Sequence, residues 1–151
     1  MIVCPNTSPV LVLARIDRLD LLGEAARVVV SRAVLREVQD KLDAATRRID
    51  ALVGPGSASL VDPAPSERVD PMRNLGPGER SVLAFALESR DPVLCVLDDA
   101  AARAEARRLG LRFTGIRSGS FFARRSRGRS TAPVSWWAPL SKQASTSTTP
   151  S

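Results

Sequence analysis

The sequence has no histidine, no tyrosine, only two cysteines and no acidic residue after Glu105. Without histidine there is no imidazole general base, no Ser–His or Cys–His nucleophile pair and no His-ligated zinc. Hydrolytic chemistry would have to run on carboxylates, which favour hard cations such as Mg2+ or Mn2+. Cys4 and Cys95 each lie in a short apolar run, so two buried free thiols are expected rather than a disulfide framework. No apolar run approaches the roughly 18 residues of a membrane helix. No signal-peptide pattern opens the chain, so a cytoplasmic protein with no membrane partner is expected. Aromatic residues make up 4% of the chain, against 44% hydrophobic residues overall. A core must therefore be built from Leu, Val, Ile and Ala, and 151 residues are enough for one domain of ordinary size.

The net charge of +6 is unevenly placed. Residues 1–110 hold 15 basic and 16 acidic side chains, whereas residues 111–151 hold seven basic ones and no acid. The positive balance therefore belongs to the C-terminal segment. There, residues 116–132 are dominated by Arg, Ser and Gly, and residues 133–151 by Pro, Ser, Thr and Ala. Such composition lacks the periodic apolar residues of a core and predicts a basic, disordered tail over 117–151. The tail could attract nucleic acid electrostatically.

The rest alternates between short apolar runs and amphipathic stretches. Residues 2–5 read as a buried strand. Ser8 and Pro9 suit the N-cap and first position of a helix running to about Leu22, with Leu13, Ile16, Leu19 and Leu22 at helical spacing. A second strand spans 27–30. Ser31 is placed to cap a helix to about Val53, whose stripe is Val34, Val38, Leu42, Ala45 and Ile49. A third strand is expected near 59–62 and a loop over 63–78. A helix from Pro77 to about Glu88, a strand over 93–97, a helix from Asp98-Asp99 to Leu109 with Gly110 as its C-cap, and a strand over 111–114 complete the series. Alternation of strands and helices predicts an α/β domain with a central parallel sheet, whose sites lie at the C-terminal ends of strands.

Four places can carry chemistry there: Asn6 after the first strand, Glu37 on the second helix, Glu79 in the first turn of the third, and Asp98-Asp99 after the fourth strand. Each also has an ordinary explanation. Asn6 suits an Asx-type turn, Glu37 a solvated helix border, Glu79 a favourable place on the helix dipole, and either Asp an N-cap. Together they carry more weight. Glu79 falls on the inward side of its helix between Val82 and Leu83, where a carboxylate is costly unless paired or metal-bound. If the first and fourth strands are neighbours, their ends lie about 5 Å apart. Carboxylates gathered there would repel one another without a divalent cation.

These segments resemble the PIN-domain family. Asn6-Thr7-Ser8-Pro9 and Ile16-Asp17-Arg18-Leu19-Asp20-Leu21-Leu22 look like the opening of a prokaryotic PIN subfamily. Ala33 to Val38, Leu75 to Ala84 (with Gly78-Glu79), and Leu97-Asp98-Asp99 with Ala101-Ala102-Arg103 are similar to its later segments, in the right order over residues 1–115. The resemblance implies a three-layer α/β/α fold in residues 1–116 and a Mg2+- or Mn2+-dependent endoribonuclease. Its metal ligands would be Asn6, Glu37, Glu79 and Asp98 or Asp99, with Glu79, Asp98 and Asp99 catalytic. Water activated at the metal would attack an RNA phosphodiester in line and leave a 5′-phosphate. RNA, a cognate antitoxin and a second copy in a homodimer are the partners it implies. Most PIN nucleases have Asp where Asn6 stands, which removes a charge worth on the order of 4 kcal/mol at an effective dielectric of 20. After Thr114-Gly115 the subfamily continues with an apolar segment and a basic helix that this chain lacks. A one-base frame shift near 115–119 would account for that ending. Two rivals remain: a catalytically degenerate PIN domain that binds RNA or protein, and a receiver-like or nucleotide-binding domain. The second fits poorly, because Lys41 and Lys142 are the only lysines and no P-loop or Gly-x-Gly-x-x-Gly is present.

Overall fold

The computed structural model describes residues 1–16, 19, 22, 27–41 and 58–116. Among these are five strands: β1 (Ile2–Pro5), β2 (Arg27–Ser31), β3 (Ala58–Val61), β4 (Val93–Val96) and β5 (Arg112–Thr114). Four helices accompany them: α1 (Thr7–Arg15), α2 (Arg32–Lys41), α3 (Pro77–Glu88) and α4 (Ala100–Arg108). All strand pairs are parallel, in the order β3-β2-β1-β4-β5. This is the expected α/β class with a central parallel sheet. The predicted tail over 117–151 lies outside the described residues, as does the expected continuation of the second helix over 42–53.

The central strands carry unbroken apolar runs because both faces of a parallel sheet are covered. Every residue of β1 and β4 is buried, and Val28, Val29 and Val30 of β2 are at most 2% exposed. Cys4 and Cys95 are register partners on β1 and β4, and both are buried and free. Burial disfavours thiolate and pushes Cys95 up to about 12. Cys4 is raised well above its ordinary value by burial and by its neighbour Cys95.

The chain moves outward from β1 to β3 and then returns to place β4 on the other side of β1. The β1/β4 boundary is thus a topological switch point, the place where open α/β sheets carry their binding sites. Asn6 continues the ladder past β1, its N–H donating to the Val96 carbonyl at 3.0 Å. Leu97 continues past β4, its N–H donating to Thr114 at 2.8 Å.

Helix boundaries differ from the sequence expectation in two places. Asn6, not Ser8, is the N-cap of α1, and the helix ends with Ile16 as C-cap. Leu19 and Leu22 pack on the core as their spacing implies, Leu22 helical and 1% exposed. Ile16 is 58% exposed. Ser31 closes β2, yet its Oγ accepts from Val34 N at 3.1 Å and so caps α2 as expected.

The loop over 62–76 is more constrained than its composition suggests. Arg80 donates to the carbonyls of Leu75 (3.2 Å), Asp70 (3.3 Å), Pro71 (3.1 Å) and Arg73 (2.7 Å). Glu105 of α4, fully buried, takes Asp70 N–H at 2.9 Å and pairs with Arg108 at 2.5 Å and Arg73 at 3.0 Å. The Arg108 hydrogen bonds lower its carboxyl to about 2 against the opposing effect of burial, with help from the Asp70 N–H and the Arg108 and Arg73 charges. A buried charge is tolerable when each oxygen is bonded in this way.

Candidate functional site

At the switch point the N-termini of α1 and α3 converge on two carboxylates. Asn6 is 3% exposed and sits at the N-cap of α1, but its side chain makes no capping bond. That is unusual for asparagine at this position, and the amide is used elsewhere: Nδ2 donates to Glu79 Oε1 at 3.3 Å. Glu79 occupies the third position of α3 and reaches back with Oε2 to accept Gly76 N–H at 2.9 Å. Glu79 thus bonds the backbone at the start of its own helix with one oxygen and meets Asn6 with the other.

Glu37 comes from α2, which packs against both α1 and α3. Its Oε1 accepts Gly78 N–H at 2.7 Å and its Oε2 accepts the Thr7 hydroxyl at 2.5 Å. The first turn of α3 is held for this purpose by a hydroxyl relay. Ser81 Oγ donates to the Gly78 carbonyl at 2.7 Å. That bond uses the Ser81 proton, so Ser31 must donate across their 2.6 Å contact while accepting from Val34 N.

Gly78 is required by crowding. A Cβ on it would lie 2.8 Å from Glu37 Oε2, 2.9 Å from Thr7 Oγ1 and 3.1 Å from Asn6 Oδ1. Three oxygens thus surround one small volume. Among the described residues no Lys or Arg pairs with Glu37 or Glu79. Helix N-termini and their N–H donors supply the compensating positive potential. One atom is left over: among the described residues, Asn6 Oδ1 is the buried side-chain polar atom with no hydrogen-bond partner.

Asp98 and Asp99 lie beyond β4, at the same end of the sheet, and are otherwise engaged. Asp99 caps α4, accepting from Ala101 N at 2.7 Å and Ala102 N at 3.0 Å. Asp98 Oδ1 accepts Ile116 N–H at 3.0 Å. The half-buried Arg103 approaches Asp98 across Gly115, whose added Cβ would be 3.4 Å from Arg103 Nη1 and 3.5 Å from Asp98 Oδ1.

Asn6, Glu37 and Glu79 are therefore brought together, whereas Asp98 and Asp99 make their contacts on the β4–β5 side. No group of three or more Asp, Glu, Cys or His gathers to hold a metal among the described residues. Sequence reasoning missed Thr7 and Gly78 as members of the cluster, although both lie inside motifs it singled out. The donor set of two carboxylates and one amide oxygen suits a hard divalent cation that keeps several waters. The orphaned Asn6 Oδ1 fits such an ion, since a buried acceptor without a donor is satisfied by a cation.

A family model described as a PIN domain (DUF3368) matches residues 1–117. No functionally curated protein matches the chain. Among solved structures, a PilT N-terminus domain protein, SSO1118, from the hyperthermophilic archaeon Sulfolobus solfataricus P2 is similar at 12% identity and a TM-score of 0.56. The match covers 88% of this chain and 100% of that one. At that identity the likeness concerns the fold.

Proposed function

The chain belongs to the PIN-domain family, a family generally of nucleases, and on that premise we propose that it is a divalent-metal-dependent endoribonuclease. The observation that carries the proposal is the buried, unpartnered Asn6 Oδ1 held beside the carboxylates of Glu37 and Glu79 at the sheet's switch point. Asn6, Glu37 and Glu79 would hold Mg2+ or Mn2+. Asp98 would join from the neighbouring strand end, and Asp99 keeps its place at the cap of α4. A bound cation supplies Lewis acidity toward a phosphodiester and acidifies water.

The protein's own residues do the rest. Thr7 and the Gly78 N–H fix both oxygens of Glu37, so that carboxylate needs little reorganisation when a ligand arrives. Glu79, anchored through Gly76 N–H and held by Asn6 Nδ2, would orient a water beside the cation. The Arg103 guanidinium has no anionic partner among the described residues and suits an RNA phosphate. In Arg103→Gln, RNA binding should weaken and lose about one unit of salt slope. The finer reading, the toxin of a toxin–antitoxin pair with an antitoxin and a second copy as partners, rests on the family resemblance.

The test is cleavage of a labelled structured RNA by the full chain with Mn2+ or Mg2+, beside an EDTA control and a Glu79→Gln variant. Cleavage that needs metal and is lost in Glu79→Gln supports the nuclease. Intact RNA, with calorimetry showing no Mn2+ binding by a folded protein, refutes it and favours a degenerate domain that binds RNA or protein without cutting.

A further inference from the structure

The hydrogen bonds of the acidic cluster balance one for one. Each of its four carboxylate oxygens has one protein donor: Gly78 N–H and the Thr7 hydroxyl for Glu37, Gly76 N–H and Asn6 Nδ2 for Glu79. Three of these donors would survive any side-chain change at position 6, and the fourth is the asparagine amide itself. The same inventory sets the amide's orientation. Turning the amide round would leave Glu79 Oε1 without a donor and set the carbonyl oxygen against it, acceptor to acceptor. In the orientation present, the N–H group goes where a donor is lacking. The carbonyl oxygen is then left buried beside Thr7 and Glu37 with nothing to accept.

We propose that Asn6 is a two-sided positioning residue. Its N–H holds Glu79 in place before any cation arrives, and its carbonyl oxygen is reserved for the cation. The inference rests on the cation reading of the site and concerns how the site is kept in order when empty. Two carboxylates with four donors and two helix N-termini are stable without an ion. A third carboxylate at position 6 would remove a donor and add a like charge beside Glu79 Oε1, where the amide nitrogen now lies at 3.3 Å. Aspartate there would lower the stability of the metal-free domain and make it lean more on a cation. Asparagine lessens that dependence, at the cost of weaker binding.

The experiment is thermal unfolding of the full chain as wild type, Asn6→Asp, Asn6→Ala and the double variant Asn6→Asp/Glu79→Gln, each in EDTA and in excess Mn2+, with Mn2+ affinity measured by calorimetry. In EDTA, Asn6→Asp should melt below both wild type and Asn6→Ala, since Asn6→Ala loses the donor without adding a like charge beside Glu79. The double variant, which moves the amide to position 79, should recover most of the wild-type melting temperature. Mn2+ should raise Asn6→Asp by more than wild type, and Asn6→Asp should bind it at least tenfold more tightly. Should Asn6→Asp fail to fold in EDTA, recovery in the double variant and on adding Mn2+ supplies the same readout. An Asn6→Asp protein as stable in EDTA as Asn6→Ala, or a double variant that recovers nothing, overturns the positioning role. If the EDTA ranking holds but Mn2+ shifts and binds none of the four, the cation reading fails with the carbonyl's role, while the hold on Glu79 stands.

Discussion

Replacing Gly78 by alanine should uncouple stability from metal binding. A methyl group there would sit 2.8 Å from Glu37 Oε2 and 2.9 Å from Thr7 Oγ1, about half an ångström inside ordinary contact. Thr7 and Asn6 are anchored in the first residues of α1, so the Glu37 carboxylate must move. Moving it breaks the 2.7 Å bond from Gly78 N–H and strains the 2.5 Å bond from Thr7. A hydrogen bond to a charged group contributes about 1.5–3 kcal/mol, and Glu37, only half-buried, regains part of that from water. Alanine also returns up to about 1 kcal/mol by removing the flexibility of glycine within a helix. The net loss is on the order of 1 kcal/mol, a melting temperature lower by about 5 °C. The consequence for a cation is larger, because Glu37 is displaced from Asn6 Oδ1. Mn2+ affinity by calorimetry should fall at least tenfold, and metal-dependent RNA cleavage with it. If Gly78→Ala melts above wild type in EDTA and binds Mn2+ unchanged, the volume around Gly78 is soft and the packing argument is wrong.

Glu105→Gln should destabilise the domain by about 2 kcal/mol, less than the cost of a fully buried pair because Arg73 and Arg108 remain partly exposed; denaturant melts measure this. The Glu105 carboxyl lies below its ordinary value, so its contribution is complete above about pH 4.5 and is lost as pH falls toward 2. Acid titration of Glu105→Gln should accordingly show a shallower loss over that window than wild type. Asp99→Ala should cost about 1 kcal/mol through the lost cap of α4 and leave Mn2+ affinity within twofold. Equal losses of stability and metal affinity would make Asp99 a ligand instead. Cys4 and Cys95 should resist a thiol reagent in the native protein at pH 8 and react at the rate of global unfolding, since burial both shields them and holds their protons; rapid native labelling would contradict their burial.

Much of the fold is legible in the local pattern of residues. Unbroken apolar runs at 2–5, 27–30 and 93–97 marked strands covered on both faces, Pro77 marked the start of α3, and Gly110, at φ +71°, the end of α4. Such signals need only neighbours in the chain, because caps, turns and periodic burial are decided within a few residues. Local spacing misled at Ile16, which ends α1 as its C-cap and is 58% exposed instead of joining the apolar stripe. It was also blind to Glu105: an acid among arginines reads as a solvated face until the loop carrying Asp70 and Arg73 folds back over it.

The candidate site divides along the same line. Residue type, place along the chain and family resemblance named Asn6, Glu37, Glu79, Asp98 and Asp99, and the lack of histidine favoured oxygen ligands for any cation. Tertiary structure decided which groups meet. The strand order sets Asn6 beside β4. The packing of α2 against α1 and α3 brings Glu37 within 2.5–2.7 Å of donors 30 and 41 residues away. Hydrogen-bond partners were equally beyond the reach of sequence. An asparagine before a helix is by default its cap, and only the arrival of Glu79 from 73 residues away turned the amide inward. The carbonyl oxygen left without a partner exists only in the folded state, for it is burial that removes the water which would otherwise have satisfied it.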